Sequence, residues 1–341
     1  MHYKQLLVAF LGVSTCLSAT AANSKDSVDN DPNGKAIIRI FTNFHTGFGS
    51  MNSRRGFELD RSYLGYEYNL GHGLRLKGVM DIGKSSDVDD YQRIVYVKNA
   101  QISWKYKRLT LNGGLISTTM FGVQEKFWGN RYVMKSFQDD YGFGSSADLG
   151  ISAAYQLTDW LSADAILVNG EGYKKVQVED GLMYGVGLTL TPVEGLTVRV
   201  YGSLNESADK NSETSEGSGK VASKDCYNLA TFIGYKHRNF SIGGEYSRVE
   251  NLKYQADAKL QGISFYGTAR LSRTTSLYAR YDQLFSVGET LKKKEEMKLV
   301  GGVEFKIGKY IKLSPNFRYI NPGDSSRKNY CMAYINCYFG I

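Results

Sequence analysis

The 341-residue sequence has no long apolar run beyond its first residues, and it contains few prolines, cysteines and histidines. The apolar run at 6–17 is too short to cross a bilayer as a helix, so the sequence excludes a helical membrane protein. Proline occurs 4 times, against 37 glycines and 25 tyrosines. Abundant aromatic residues, spaced glycines and weak hydropathy in every segment are typical of a membrane β-barrel.

The cysteine and histidine contents exclude two further classes. Three cysteines remain after the N-terminal apolar run, and an odd number gives no disulfide framework. No two of the three histidines downstream of that run have the spacing of metal ligands. A serine–histidine hydrolase has no support in the sequence, so we expect no enzyme activity and no catalytic residue. The cysteines are Cys226, Cys331 and Cys337, and the histidines are His45, His72 and His237.

Two motifs suggest other chemistry, and neither has the context that this chemistry needs. Residues 78–85, GVMDIGKS, match the phosphate-loop pattern G-x-x-x-x-G-K-S. That motif requires a loop followed by a helix, whereas the strand alternation here continues through 79–82 and an acidic loop follows. The aspartates of this loop, Asp87, Asp89 and Asp90, could bind Ca²⁺, but a solvated acidic loop is the preferred interpretation. We therefore expect no metal site and no cofactor.

The first 21 residues have the features of a secretory signal peptide: Lys4, the short apolar run, and the small-residue site at 19–21. Cys16 raises a lipoprotein signal as the alternative, although the residues before it fit that signal poorly. Residues 22–34 are polar and are expected to form a periplasmic lead-in. Removal of 1–21 takes away one positive charge, so the net charge falls from +8 to +7. Export argues against nucleic acid as a partner and favours anionic solutes or lipopolysaccharide phosphates.

Residues 35–341 consist of short segments in which apolar and polar residues alternate. For example, Leu64, Tyr66 and Tyr68 alternate with Gly65 and Glu67, which is the period of a β-strand with one apolar face. About sixteen such segments follow one another, and tight turns alternate with long polar loops. The long loops are expected at 47–56, 84–91, 118–145, 170–180, 205–224, 252–259, 287–295 and 321–328.

This order predicts an all-β fold, a transmembrane antiparallel β-barrel of about sixteen strands with short periplasmic turns and long extracellular loops. A soluble β-sandwich is the alternative, but it would not give alternating loop lengths over the whole chain. The start of the strand at 95–106 is out of phase with its end, which predicts a bulge near Lys98. The segment 118–145 is rich in aromatic and charged residues, so we expect it to be ordered and folded back onto the strands.

Three runs of sequence resemble Gram-negative outer-membrane porins: FELDRSYLGYEYNL (57–70), VQEKFWGNRYVMKSFQDDYGFGSSADLG (123–150) and YINCYFGI (334–341). They resemble the porin family of Bacteroidetes-type outer membranes and, more distantly, the phosphate-selective porin O/P family. The resemblance covers about 35–341 and implies that the third loop folds into the lumen, which makes 118–145 the constriction loop. The chain departs from the pattern at its end, because Ile341 stands where the outer-membrane assembly machinery commonly reads an aromatic residue.

The expected inward face carries an excess of basic residues, and the third loop adds charges of both signs. We therefore expect mild anion selectivity; the alternative is that these charges only solvate the wall and pair with one another. Three aromatic residues are expected to anchor the loop to the wall, in preference to lining a path for sugars. The expected constriction residues are Glu125, Lys126, Arg131, Lys135, Asp139 and Asp140, the wall residues are Arg39, Arg75, Lys77, Arg199, Arg270, Arg280, Lys298 and Arg318, and the anchors are Phe127, Trp128 and Tyr132.

The function expected from these features is passive diffusion of small hydrophilic solutes across the cell outer membrane. One alternative is a structural or adhesive barrel with a closed lumen. Another is a specific transporter for phosphate, an oligosaccharide or a hydrophobic substrate. The expected partners are the lipid bilayer, lipopolysaccharide, the assembly machinery and small solutes that include anions, with a homotrimer as one conceivable assembly.

Overall fold

The computed structural model of the chain describes residues 32–85, 88–89, 92–175, 181–207, 223–324 and 326–341. The expected signal peptide at 1–21 and most of the expected lead-in at 22–34 lie outside the described residues. The same holds for Asp87, Asp90 and most of the loop expected at 205–224. Among the residues that are described, no helix is both long and apolar enough to cross a membrane.

Sixteen antiparallel strands in the described part of the chain form one closed barrel, in which each strand pairs with its neighbours in sequence. The last strand returns to the first, so Phe41 lies opposite Tyr338 and no sheet edge is left unpaired. This confirms the predicted fold. The strands are β1 Asn33–Gly49, β2 Arg55–Gly71, β3 Leu74–Gly83, β4 Ile94–Tyr106, β5 Leu109–Ser117, β6 Ala147–Gln156, β7 Leu161–Val168, β8 Met183–Leu190, β9 Leu196–Asn205, β10 Cys226–Lys236, β11 Phe240–Glu250, β12 Leu260–Arg270, β13 Thr275–Ser286, β14 Glu296–Ile307, β15 Ile311–Pro322 and β16 Tyr330–Gly340.

The connections alternate between short turns and longer loops, as the sequence predicts. The turn between β2 and β3 is built on His72 and Gly73, whose φ angles of 52° and 80° match the twist of a tight hairpin. Two predicted boundaries are wrong. The lead-in does not extend to 34, because β1 begins at Asn33, and the first long loop occupies only 50–54 rather than 47–56. Strands β1 and β2 are longer than predicted because the hydrogen-bond ladder between them continues through polar residues at the solvent-exposed ends of the barrel.

Bulges in β2 and β4 change which residues face inward. The pairing of β3 with β4 passes from Val79–Asn99 to Met80–Val97, which leaves Lys98 unpaired and confirms the bulge predicted there. A second bulge lies in β2, where Asp60 is skipped between the pairs Phe41–Arg61 and Thr42–Leu59. The apolar positions change phase across this bulge, from Phe57 and Leu59 to Leu64 and Tyr66, so the sequence carries a signal for it that the strand predicted from Leu64 onward did not reach.

The two faces of the wall differ in chemistry. Large apolar side chains are exposed on one face, among them Val186, Ile233 and Phe265. The other face carries polar side chains that are buried, such as Asp282 and Asn336. A barrel that is apolar outside and polar inside is suited to lipid around it and to water within it.

Helical structure in the described residues is short and lies in the connections. Helices α1, Gly122–Trp128, and α2, Phe137–Asp140, lie between β5 and β6. Single turns of 3₁₀ helix occur at Leu252–Tyr254 and Lys292–Lys294. The two α-helices therefore belong to the third long connection, residues 118–146, which we call loop 3.

Candidate functional site

Loop 3 is the most deeply buried connection of the described chain. Its helix α1 ends at Trp128, and the φ of 70° at the following residue, Gly129, allows the left-handed turn that stops the helix. The side chains of Trp128 and Phe137 are 1% and 0% exposed. A loop on the outer surface would leave such residues in water, so the wall of the barrel must cover them.

Aromatic residues of loop 3 pack against aromatic residues of the wall. Trp128 lies against the rings of Tyr266 and Tyr278, with ring centroids 5.7 and 5.8 Å away. The indole N–H of Trp128 donates to the carbonyl of Met134 at 2.8 Å, which ties two turns of the loop together. Phe127 contacts the ring of Phe232 on β10 at 4.9 Å. The residues expected to be anchors thus lie at the wall.

Tyr132 makes both an aromatic and a polar contact with the wall. Its ring lies 5.7 Å from that of Tyr338 on β16. Its hydroxyl donates to the carboxylate of Glu304 on β14 at 3.0 Å, and the ammonium of Lys312 donates to the same carboxylate at 3.0 Å. The hydroxyl of Tyr132 therefore has a hydrogen-bond partner in the wall and is not left free to meet a solute.

Side chains of the wall also hold the backbone of loop 3. They donate hydrogen bonds to its carbonyl groups, which have no partner in a regular ladder. A buried hydrogen bond from a charged donor contributes about 1.5–3 kcal/mol, so several together fix the path of the loop. The donor and acceptor pairs are Arg199 with Thr119 at 2.7 Å, Tyr266 with Gln124 at 3.1 Å, Asn336 with Tyr132 at 3.2 Å, Arg318 with Val133 at 2.8 Å, Arg280 with Lys135 at 2.6 Å and Asn228 with Phe143 at 3.2 Å.

Four of the eight expected wall residues take part in holding loop 3, and the charges of three of them are neutralised locally. Arg280 forms a two-bond pair with Asp282, at 2.8 and 2.7 Å, in which both side chains are fully buried. Arg199 forms a similar pair with Asp164 at 2.6 and 3.0 Å. Lys298 is paired with Asp140 of the loop at 2.7 Å.

Arg318 is held differently. Its guanidinium stacks on the ring of Tyr334 at 3.8 Å and donates to the amide oxygens of Asn316 and Asn336. No carboxylate lies within 4 Å of it in the described chain. The sequence predicted that the wall cations line the path of a solute. In the structure, four of them contact loop 3 instead: Arg199, Arg280, Lys298 and Arg318.

The acidic residues of α2 are paired with cations. Asp139 accepts a bond from Arg131 at 2.5 Å and lies 3.9 Å from the ammonium of Lys135. Burial by itself would raise the pKa of Asp139, but the charges of Arg131 and Lys135 lower this pKa below its usual value. The pKa of Asp140 is lowered in the same way, because the charge of Lys298 outweighs the effect of burial. Both carboxyls are therefore ionised near neutral pH.

Loop 3 reaches the opposite side of the barrel at Tyr63 on β2. The phenol oxygen of Tyr63 accepts hydrogen bonds from Arg61 at 3.2 Å and from Arg131 of the loop at 3.3 Å. The ammonium of Lys98 lies 3.5 Å from the same oxygen and 4.7 Å from the centre of the ring. Three cations thus converge on one hydroxyl. Arg61 is also paired with Asp81 at 3.3 Å.

A cavity of about 470 Å³ lies between loop 3 and strands β1–β4, with β15 and β16 at its side. We call it the basic cavity, since its described lining contains six cationic side chains and a single carboxylate, that of Glu125. Arg131 is 3.5 Å from Glu125, and Lys312 is paired with Glu304. The other four have no carboxylate within 4 Å among the described residues. These unpaired cations are Arg39, Lys77, Lys98 and Lys126.

The remaining expected wall residues lie away from this cavity. Arg75 is paired with Glu67 at 3.3 Å, and its side chain is 57% exposed. Arg270 is exposed at the end of β12. The structure brings neither of them to loop 3. No group of three or more His, Cys, Asp or Glu side chains in the described ranges is arranged to hold a metal ion.

Sequence reasoning missed part of this site. Arg61 and Tyr63 were not candidates, because their importance depends on the position of Arg131 more than sixty residues away in the sequence. Lys98 was noted only for its bulge, which is the feature that turns it toward Tyr63. Asn228 and Asn336, which donate to backbone carbonyls of loop 3, carry no charge and had no distinguishing signal in the sequence.

Comparison with known proteins supports the fold. No protein-family model matches the chain, and no curated protein matches it by sequence. Among solved structures, it is similar to an anion-selective porin from Comamonas acidovorans, with a TM-score of 0.68, 12% identity, and coverage of 91% of this chain and 100% of that one. It is also similar to OmpF of Salmonella typhi, with a TM-score of 0.65, 12% identity and coverage of 90% and 97%. OmpT of Vibrio cholerae gives a TM-score of 0.63, 16% identity and coverage of 91% and 98%.

At these identities the likeness establishes the fold alone, a closed barrel of sixteen strands. It does not extend to the Bacteroidetes-type family or to the phosphate-selective O/P family, and both resemblances stay predictions. What the barrel does must be argued from its own side chains.

Proposed function

We propose that this chain is an outer-membrane diffusion channel in which loop 3 forms the constriction, and that the channel prefers anions. The observation that carries this proposal is the charge of the basic cavity, which has six cations and one carboxylate among its described lining residues. Charged residues that line a narrow passage select the ions that pass. The unpaired cations Arg39, Lys77, Lys98 and Lys126 are the ones that a solute would meet.

The way in which loop 3 is held supports a passage of constant width. Its backbone carbonyls are bonded by Arg199, Arg280 and Arg318, and its aromatic side chains pack on the wall. A loop held by several buried contacts costs many kilocalories per mole to displace, so it keeps its position during conduction. This supports size selection by a fixed opening rather than by a moving gate.

The test is the ion preference of the purified, refolded protein in a planar bilayer with a salt gradient. We expect ohmic steps and a reversal potential that favours the anion. The preference should fall at high salt, because screening over a few ångströms weakens the charges of the cavity. A channel that favours cations would overturn the anion preference, and the absence of steps from a folded barrel would overturn the channel itself.

A closed barrel is the second candidate, and one contact favours it. Arg131 of loop 3 bonds Tyr63 on β2, and such a contact across the lumen would divide the passage at that level. If this contact closes the lumen, Arg131→Ala should open a conductance that the unmodified chain lacks. A conducting unmodified chain would exclude this candidate.

Assembly and partners are further proposals. One of the similar structures is described as a trimer form of OmpT of Vibrio cholerae, and we propose a homotrimer for this chain as well. The apolar outward face would contact lipid and lipopolysaccharide, and insertion would need the outer-membrane assembly machinery. The mass of the refolded protein in detergent, measured by light scattering, tests the trimer.

A further inference from the structure

The basic cavity has two walls of different chemistry. On one side, four aromatic rings form a continuous patch. Phe41 contacts Tyr63 with ring centroids 5.7 Å apart and contacts Tyr338 at the same distance. Tyr338 in turn contacts Tyr132 of loop 3 at 5.7 Å. All four residues line the cavity, together with Ile37.

The cations of the cavity lie beside this aromatic patch. Arg39 is the cross-strand neighbour of Tyr63. Lys98 lies over the ring of Tyr63, and the ammonium of Lys312 lies 5.6 and 5.7 Å from the ring centres of Tyr132 and Tyr338. Contacts of this kind hold ammonium groups beside the rings, where they can meet the charged end of a ligand in the cavity.

Carboxylates pair with Lys312 and Arg131, but Arg39, Lys77 and Lys98 have none within 4 Å among the described residues. Glu125 is the only acid in the described lining, and its closest cation is Arg131 at 3.5 Å. Glu67 is the cross-strand neighbour of Lys77, but its carboxylate lies 3.3 Å from Arg75. Arg39, Lys77 and Lys98 therefore keep donors for an anion that enters the cavity.

The size and chemistry of the cavity together indicate a class of ligand. A volume of about 470 Å³ lies within the range of about 300–1,000 Å³ found for small-molecule sites. Such sites are mostly apolar with a few convergent polar groups, as here. An inorganic anion would satisfy the cations but make no contact with the ring edges that reach the cavity, whereas a neutral sugar would leave the cations without a partner.

We propose that the basic cavity binds small organic anions that carry both a carboxylate and an aromatic ring. The carboxylate meets Arg39, Lys77 and Lys98, and the ring lies on the patch formed by Phe41, Tyr63, Tyr132 and Tyr338. This rests on the proposed function, in that the cavity lies on the path of the solute. It adds a preference for one chemical class to a general preference for anions.

The test compares benzoate, acetate and benzyl alcohol on the refolded, full-length barrel. Equilibrium dialysis in detergent measures binding without the need for conduction, and block of the chloride current measures occupancy of the passage. We expect benzoate to bind about tenfold more tightly than acetate, which corresponds to about 1.4 kcal/mol, because the ring adds contacts that acetate lacks. Benzyl alcohol should bind more weakly than benzoate, since it lacks the charge.

Three variants separate the two walls of the cavity. Lys77→Gln should weaken both benzoate and acetate several-fold, whereas Tyr338→Gln should weaken benzoate alone. Lys105→Gln is the matched control, because Lys105 is on the same barrel face but does not line the cavity, and it should change neither. Equal affinity for benzoate and acetate in an anion-preferring channel would overturn this inference and leave the proposed function standing. Tight benzoate binding without an anion-favouring reversal potential would support the binding site and overturn the proposed anion preference of the channel.

Discussion

The buried pair of Arg280 and Asp282 offers the sharpest test of how loop 3 is held. Both side chains are 0% exposed, and the guanidinium uses its third nitrogen to donate to the carbonyl of Lys135 at 2.6 Å. Arg280→Met removes the charge and the donors while it keeps much of the volume. Asp282 is then left buried without its partner, and the carbonyl of Lys135 loses its donor.

The expected loss follows from these contacts. Breaking a buried ion pair from one side costs about 3–5 kcal/mol, and an unsatisfied buried carbonyl costs about 1–3 kcal/mol more. Loss of the ion pair destabilises the barrel wall, and loss of the bond to the carbonyl weakens the attachment of loop 3. We therefore expect Arg280→Met to lower the free energy of unfolding by at least about 3 kcal/mol and to make loop 3 sensitive to protease.

The measurement is urea-induced unfolding of the barrel in lipid vesicles, followed by fluorescence, with limited proteolysis of the folded protein. Arg248→Met is the matched control, because Arg248 forms an equally short pair with Glu250, at 2.6 Å, in which the side chains are 37% and 36% exposed. Exposed pairs contribute less than about 1 kcal/mol. If the two variants lose the same stability, burial does not decide the strength of this pair and the reasoning is wrong.

Three further predictions concern loop 3. Trp128→Ala should cost about 3–5 kcal/mol of unfolding free energy, measured in the same assay, because it leaves a cavity between two tyrosines. Lys126→Glu should move the reversal potential toward cation preference, since it reverses one of the unpaired charges of the basic cavity; an unchanged potential would place Lys126 off the path. The lowered pKa values of Asp139 and Asp140 give stability that is fully present above their ordinary pKa of about 3.9 and is lost as the pH falls through the lowered values. Protease sensitivity of loop 3 should therefore rise only in strong acid, and Asp140→Asn should show the sensitivity already at neutral pH.

Much of the fold could be predicted because apolar and polar residues alternate with a period of two in every strand of a barrel. The alternation at Leu64–Tyr68 and the phase break at Lys98 both depend only on neighbours along the chain. The bulge at Asp60 also shifts the apolar positions, from Phe57 and Leu59 to Leu64 and Tyr66, so its signal is local as well. The extension of β1 and β2 beyond the predicted boundaries could not be predicted, since polar residues at the rim of a barrel can belong to strands or to loops.

The sequence by itself determined the class of architecture and the place of loop 3 along the chain, because both depend on local pattern and composition. Only the tertiary structure decided the role of each charge. Arg280 and Arg318 read alike in the sequence as inward-facing cations, and so does Lys77, yet two of them hold loop 3 and the third lines the basic cavity. The physical reason is that a charge acts on what lies within a few ångströms of it, and closure of the barrel brings together side chains that lie far apart in the chain.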